Sequence, residues 1–303
     1  MSLTLQKSQG QPALSYLEGP KAGPPLLLLH GVGRCAEDYR EFATGLEEHW
    51  NISALDFRGH GGSDRAHDHY LVTDHIRDTV AFVRDEICQT VVIYGHSLGA
   101  MVALAVAAAL PGQVRGIVLE DPPFHTMGRR IAQTPWQALF MGMRDAARRV
   151  TGVDEMAAAL AELPVPVPGR SGLANLGQLR SAESLRFSAR CLAQLDPEVF
   201  TPVIEGRWLD GYDESELCAQ VRCPALLLQG DPAAGGALLD ADADAVVATL
   251  PVCRRVRFPG VGHLIHQDKP AAALRALQEF ATTLPSAFPN YEKTSSLSAV
   301  PGV

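Results

Sequence analysis

A chain of 303 residues that is 47% hydrophobic and 20% charged has the material for one large globular core or two small ones. Its net charge of −8 is spread without a long basic run or a block of like charges, which speaks against a nucleic-acid surface or a polybasic membrane contact. Small apolar or neutral molecules are the expected partners, the acidity is read as solubility, and nothing in the sequence sets an oligomeric state.

The cysteines at 35, 88, 191, 218, 223 and 253 include no C-x-x-C pair and no cysteine-histidine grouping of zinc spacing, so no metal is expected. Reduced structural thiols point to a reducing, cytoplasmic compartment. The N-terminus MSLTLQKSQG lacks a charged segment followed by an apolar one, so no signal peptide is expected. The most apolar window, Val91 to Leu110, is interrupted by Gly95, His96, Ser97 and Gly99 and does not read as a membrane span.

In chain order, a short strand around Leu14 to Leu17 precedes a Gly-Pro turn, and Leu26 to Leu29 form a buried-type strand that stops in His30-Gly31-Val32-Gly33. Such a loop exposes backbone N–H groups that can hold an anion. Glu37 to Trp50 reads as a helix, Ile52 to Asp56 as a strand, Phe57 to Ser63 as a second glycine-rich turn, and Thr73 to Ile87 as a helix. Val91 to Ile93 are a β-branched strand, followed by Gly95-His96-Ser97-Leu98-Gly99 and an Ala-rich helix to Leu110. Gly116 to Leu119 form the next strand, ending in Glu120-Asp121-Pro122-Pro123. Strands alternating with helices imply a mainly parallel sheet covered by helices. From Phe124 to about Gly211 the alternation stops, and helices at about Trp136 to Val150, Asp154 to Leu163 and Ala182 to Leu195 surround a break at Pro164, Pro166 and Pro168. This stretch reads as a helical cap. Pro224 to Gln229 and Arg254 to Phe258 resume the strands, with helices at Asp240 to Leu250 and Lys269 to Thr283, and the polar tail from Pro285 is expected to be mobile. The division is therefore a core of residues 1–123 and 212–284, a cap of 124–211 and a tail of 285–303.

Gly-x-Ser-x-Gly between a strand and a helix is a turn so tight that a Cβ at either glycine would collide with backbone, and it projects the hydroxyl of Ser97 from the sheet as a candidate nucleophile. A serine hydroxyl needs a base to take its proton during attack, and imidazole suits that task near neutral pH. Acyl transfer also builds charge on a carbonyl oxygen, which the N–H of Leu98, just after the nucleophile, can stabilise. His96 reads as a packing residue of the turn, His266 as lying one helical turn beyond His263, and His60, His67, His69 and His75 as loop or surface positions.

Taken in order, His30-Gly31, Asp56-x-Arg58-Gly59-His60-Gly61-x-Ser63, Gly95-His96-Ser97-Leu98-Gly99 and Gly260-Val261-Gly262-His263 resemble the α/β-hydrolase family, specifically its single-cap members, across residues 14 to 284. The resemblance implies an α/β fold with an eight-stranded, mostly parallel sheet, a helical cap after the sixth strand, and nucleophile, acid and histidine in that order. It makes His263 the base, Val32 the second oxyanion-hole amide and the Arg58 to Ser63 turn a structural brace. No metal, flavin or nucleotide motif appears, so no cofactor is expected; the G-x-G at Gly31 to Gly33 lacks the rest of a dinucleotide fingerprint. The acid stays open. The commonest pattern puts it three residues beyond the glycine ending the seventh strand, which here is Ala233; Asp231 stands two residues early. Some capped relatives use the end of the sixth strand, where Asp121 stands beside Glu120, and Asp121 is favoured.

The implied activity is cofactor-independent hydrolysis of a carboxylic ester or lactone through an acyl-enzyme on Ser97. Carbon-carbon bond hydrolysis of a β-diketone-like substrate, or a ligand receptor with little turnover, are the alternatives, because the fold does not choose among them. Phe124, Trp136, Phe140 and Met141, with Met143, are candidates to line an apolar pocket, against the plainer reading of cap core.

Overall fold

The computed structural model of the protein describes residues 3–167 and 172–285. In chain order its strands are β1 (Thr4–Lys7), β2 (Ser15–Lys21), β3 (Pro25–Leu29), β4 (Asn51–Leu55), β5 (Val91–His96), β6 (Val114–Glu120), β7 (Pro164–Pro166), β8 (Leu173–Asn175), β9 (Ala225–Gly230) and β10 (Cys253–Phe258). Eight of them form one sheet in the order β1-β2-β4-β3-β5-β6-β9-β10, antiparallel at β1/β2 and β2/β4 and parallel elsewhere. The expected mostly parallel, helix-flanked eight-stranded sheet is present.

Its strands are continuous apolar runs because both faces are covered. In β3, Leu27 and Leu29 join one buried cluster while Leu26 and Leu28 join the other, as successive side chains leave a strand on opposite sides. Val91 and Ile93 against Val92 and Tyr94 in β5, and Leu227 against Leu226 and Leu228 in β9, repeat the division. The first cluster takes in the fully buried helix segment Leu98 to Ala107 and much of the 124–211 insert; the second takes in Phe42 and the closing helix Pro270–Thr283.

The insert between β6 and β9 adds no strand to the large sheet. It contributes the helices Trp136–Arg149, Val153–Ala161 and Ala182–Gln194 and the small antiparallel pair β7/β8. The proline-rich break thus contains a short strand, with Pro168 outside the described residues. The expected helix at Glu37 to Trp50 is shorter: a 3-10 turn at Ala36–Tyr39 leads into Arg40–Thr44, which stops at Gly45. A Cβ there would stand 2.7 Å from Leu274 Cδ1 of the closing helix, so the chain turns away where that helix packs. β1 carries no sequence signature because all four of its residues are exposed and it has no buried face to pattern. The tail from 286 onward lies outside the described residues. Among the described residues no helix is long and apolar enough to cross a membrane.

Because β3 is sandwiched between both clusters, truncating one of its leucines leaves a cavity that neither face can close. Leu28→Ala, at a fully buried position, is expected to lower unfolding free energy by about 3 kcal/mol, measured by urea denaturation.

Candidate active site

Ser97 stands between β5 and the helix Leu98–Ala109 at φ 55, ψ −115, a conformation that costs a non-glycine residue on the order of 1–3 kcal/mol and is held by its surroundings. A Cβ on Gly95 would land on the Gly99 carbonyl, and one on Gly99 would land on the Leu29 carbonyl of β3. Only hydrogen fits at either place. Two bonds then fix the turn: Gly99 N–H donates to the His30 carbonyl (3.1 Å) and Ser97 N–H to the Glu120 carbonyl (2.9 Å). As the first residue of its helix, Leu98 has an N–H with no acceptor inside the helix.

The loop after β3 lies directly against this turn, since a Cβ on Gly31 would come within 3.1 Å of Ser97 Cβ and 2.9 Å of His96 Nδ1. Two buried histidines pin it. His30 Nδ1 donates to the Gly31 carbonyl (2.8 Å) while its Nε2 accepts from Phe57 N–H (3.2 Å). His60 Nε2 accepts from Gly33 N–H (3.2 Å), so its Nδ1 donates to the Arg58 carbonyl (2.9 Å). Burial pushes the His30 pKa down to about 3 and that of His60 to about 4, which keeps both neutral and these bonds in place. His60 and His75, expected in a loop or at the surface, are both fully buried.

Of the two candidate acids, Asp121 is the one beside the histidine. Its Oδ2 lies 2.6 Å from His263 Nδ1. The carboxylate is fully buried and accepts from the backbone N–H groups of Gly230 (3.0 Å), Ala237 (2.7 Å) and Leu238 (3.4 Å), and its own backbone takes φ 46 at the end of β6. Asp231 instead accepts from Ala233 and Gly260 N–H (both 2.9 Å), a loop-bracing role. Glu120 belongs to a different pair.

That second pair is the feature the motifs did not reveal. Glu120 accepts from both the backbone N–H (2.9 Å) and Nδ1 (2.9 Å) of His266, and from Tyr94 Oη (2.5 Å). On the far side, His266 Nε2 lies 3.6 Å from Asp38 Oδ2, at ion-pair rather than hydrogen-bond distance, and Asp38 is held by both nitrogens of an Arg34 fork (2.8 and 2.6 Å). Burial alone would lower the His266 pKa, but Glu120 and Asp38 outweigh it and push it up to about 10; Glu120 is correspondingly lowered despite its burial. His96 fills the space between the two pairs, its ring 4.6 Å from that of His263 and 5.1 Å from that of His266, with Nε2 donating to the His263 carbonyl (2.9 Å). The sequence signal was two adjacent carboxylates at the end of one strand and two histidines three apart in a later loop, each carboxylate taking one histidine.

A cavity of about 770 Å³ adjoins His263. Trp136 stands on its wall, 5.6 Å from the His263 ring between centroids. The other expected lining residues do not: Phe124 is fully buried in the core, Phe140 stacks on Phe200 (5.5 Å), Met141 is 44% exposed, and Met143 packs toward Gly33. The wall instead carries Arg130 and Arg180 with one carboxylate, Asp268. Arg130 is paired with Asp242; Arg180 has no charged partner among the described residues. Among the described residues there is no cluster of three or more His, Cys, Asp or Glu able to hold a metal.

The sequence pattern of the alpha/beta hydrolase family matches residues 26–277, and the chain belongs to that family. It is 31% identical over 100 residues to a 2-(acetamidomethylene)succinate hydrolase of Mesorhizobium japonicum, covering 33% of this chain and 36% of that one. It is 33% identical over 115 residues to the lipase LipV of Mycobacterium tuberculosis, covering 38% and 43%. The chain thus spans well under half the length of the curated relatives it matches. The fold is similar to that of the enol-lactonase from Burkholderia xenovorans LB400, with a TM-score of 0.69 at 16% identity, covering 91% of this chain and all of that one.

The buried histidines set a pH dependence of stability. His266, raised from 6.5 to about 10, contributes stability that is full below pH 6.5 and is lost as pH rises toward 10. His30 and His60, lowered from 6.5 to about 3 and about 4, contribute stability that is full above pH 6.5 and is lost as pH falls. Melting temperature is expected to peak between about pH 6 and 7. Glu120→Gln should flatten the decline between about pH 7 and 8.5, a range below the titration of the buried thiols and phenols; a wild-type melting temperature that climbs across that range would contradict the assignment.

Proposed function

We propose that the protein is a serine hydrolase that cleaves a carboxylic ester or lactone. The observation that carries this reading is the 2.6 Å contact of the fully buried Asp121 with His263 Nδ1, in a site where Ser97 is held at a strained turn. A carboxylate accepting from Nδ1–H fixes the tautomer that leaves Nε2 free to take a proton, as a general base requires. Ser97 Oγ attacks the acyl carbon while Nε2 of His263 takes its proton. The negative charge passes to the carbonyl oxygen, where the N–H groups of Leu98 and Val32 receive it. Collapse expels the alcohol, which regains the proton from His263, and the same base then activates the water that frees Ser97. The 124–211 insert acts as the cap over this site. The lipase and the enol-lactonase among the similar proteins support an ester or lactone as the scissile group.

Arg130 and Arg180 on the cavity wall favour a second feature of the substrate, a carboxylate at a distance from the scissile bond. Arg130 is already paired with Asp242, so Arg180, which has no charged partner among the described residues, is the guanidinium fork free to match a carboxylate. The name of the succinate hydrolase relative points to the same chemistry.

Ser97→Ala is expected to lower turnover of 4-nitrophenyl butyrate by on the order of 10⁶ with the fold intact, and Asp121→Asn by about 10⁴. Asp231→Asn should stay within a few-fold of wild type; losing as much as Asp121→Asn would transfer the role of acid to it. Comparing 4-nitrophenyl butyrate with the mono-4-nitrophenyl ester of glutaric acid, Arg180→Ala should cost about tenfold in kcat/KM on the acidic ester alone. Equal losses on both esters would remove the carboxylate from the proposal.

A further inference from the structure

Cys35 and Cys191 are 156 positions apart in sequence, yet their Sγ atoms lie 3.4 Å from each other. Both are buried, at 6% and 1% exposure. Cys35 lies three residues beyond Val32 on the loop that faces Ser97, and Cys191 lies on the insert helix Ala182–Gln194. The two thiols therefore meet across the seam between the core and the insert. The same seam is held by Arg34, whose Nη1 donates to Ser188 Oγ (3.2 Å) and whose guanidinium lies 4.6 Å from the Phe187 ring centre, both on that helix. A groove of about 710 Å³ lined by Arg34, Phe187 and Arg190 runs past the immediate neighbours of both cysteines, giving a water-sized oxidant a near approach.

We propose that Cys35 and Cys191 are a modification site: oxidation by a peroxide joins them in a disulfide that ties the insert to the oxyanion loop. An S–S bond is about 2.05 Å long, so the sulfurs need to close by a little over 1 Å from 3.4 Å. The step balances with hydrogen peroxide as oxidant. Both S–H bonds and the O–O bond break, one Sγ–Sγ bond forms, the two sulfurs together give up two electrons, and the peroxide leaves as two waters. A thiol reductant reverses it.

Two consequences follow from where the tether sits. The helix bearing Cys191 begins directly after Leu179 and Arg180, which line the cavity beside His263. Fixing that helix to the core loop that carries Val32 restrains the cavity wall that precedes it in sequence, so admission and release of substrate slow. The hydrogen bond between the thiols and their burial hold the Cys35 pKa far above the ordinary range, so the closed reduced form presents a thiol rather than the reactive thiolate. Oxidation then proceeds slowly, at the rate at which the seam loosens, rather than at the rate of an exposed thiol such as Cys88.

The test uses the full chain, reduced and then treated with graded hydrogen peroxide, with remaining thiols capped in denaturant and disulfide-linked peptides identified by mass spectrometry without reduction. The expected result is a Cys35–Cys191 linked peptide as the main disulfide, a melting temperature raised by about 5 °C, and a several-fold loss of 4-nitrophenyl butyrate turnover, all reversed by dithiothreitol. Cys191→Ser and Cys35→Ser should each lack the linked peptide and both peroxide responses. Free Cys35 and Cys191 after Cys88 has been consumed would overturn the proposal. So would a linked form with unchanged melting temperature and turnover, or a peroxide response in Cys191→Ser equal to that of wild type. Peptide mapping and melting do not depend on the hydrolase reading, so failure of one is separable from failure of the other.

Discussion

No side chain fits between the start of the central helix and the strand beside it. The Cβ that Gly99 lacks would occupy the position of the Leu29 carbonyl, and the one Gly95 lacks would occupy that of Gly99 itself. This backbone-to-backbone approach sets the distance between β5, β3 and the helix, and with it three positions at once: the serine at the apex, the first free amide of the helix, and the His30 to Gly33 loop. A turn one atom wider would leave Ser97 in an ordinary conformation and would move the loop away from it. The strain at φ 55 is sustained by two well-packed apolar clusters and by hydrogen bonds to β6 and to His30.

The opposite side of the site is held by paired polar side chains rather than by close packing. The end of β6 presents two carboxylates in succession and the loop after β10 presents two histidines three apart; Asp121 takes His263, and Glu120 takes His266. Removing a partner from such a buried pair leaves an uncompensated charge and costs several kcal/mol, so the second pair clamps the strand end and the loop whose other members form the first. His96, next to Ser97 in sequence, spans both through the His263 carbonyl. Each of Ser97, Asp121 and His263 therefore has a near neighbour in sequence that is buried and hydrogen-bonded behind it.

Much of this was legible in the residues. Leucine and β-branched runs of three to four residues marked the buried strands, and their alternation with helices marked the parallel sheet, because those patterns follow from which faces are covered. Gly-x-Ser-x-Gly was legible for the same reason: the glycines are a steric requirement with few substitutes. What stayed hidden depended on direction. Nothing local says which of Glu120 and Asp121 turns toward His263, since the answer lies in the positive φ of Asp121 and in amides more than a hundred residues away. Arg34 and Asp38, four apart, look like a solvated helix pair and are instead a buried link to His266. His75 sits in a polar stretch yet points into a nest of rings formed by Phe57, His60 and Tyr70. The aromatic residues of the insert could have faced inward or outward, and stacking of Phe140 on Phe200 rather than any pattern in the helix decided it.

The amides that receive Asp121 come from Gly230, Ala237 and Leu238, at the two ends of the segment that follows β9. In the commoner arrangement that segment would offer a carboxylate, and the identity of one side chain there would be decisive. Here it offers only main chain, which at 237 and 238 does not depend on a particular side chain, while at 230 a Cβ would stand 2.6 Å from the Gly262 carbonyl oxygen. The side chains at 233 and 234 are accordingly free to vary while the length is held, since adding or removing a residue would shift the donors relative to Asp121, but Gly235 stands at φ 93 and a Cβ on Gly236 would come within 2.8 Å of the Gly230 backbone. Substitution at 233 and 234 therefore meets few obstacles, whereas insertions and deletions in the same segment act on Asp121 itself.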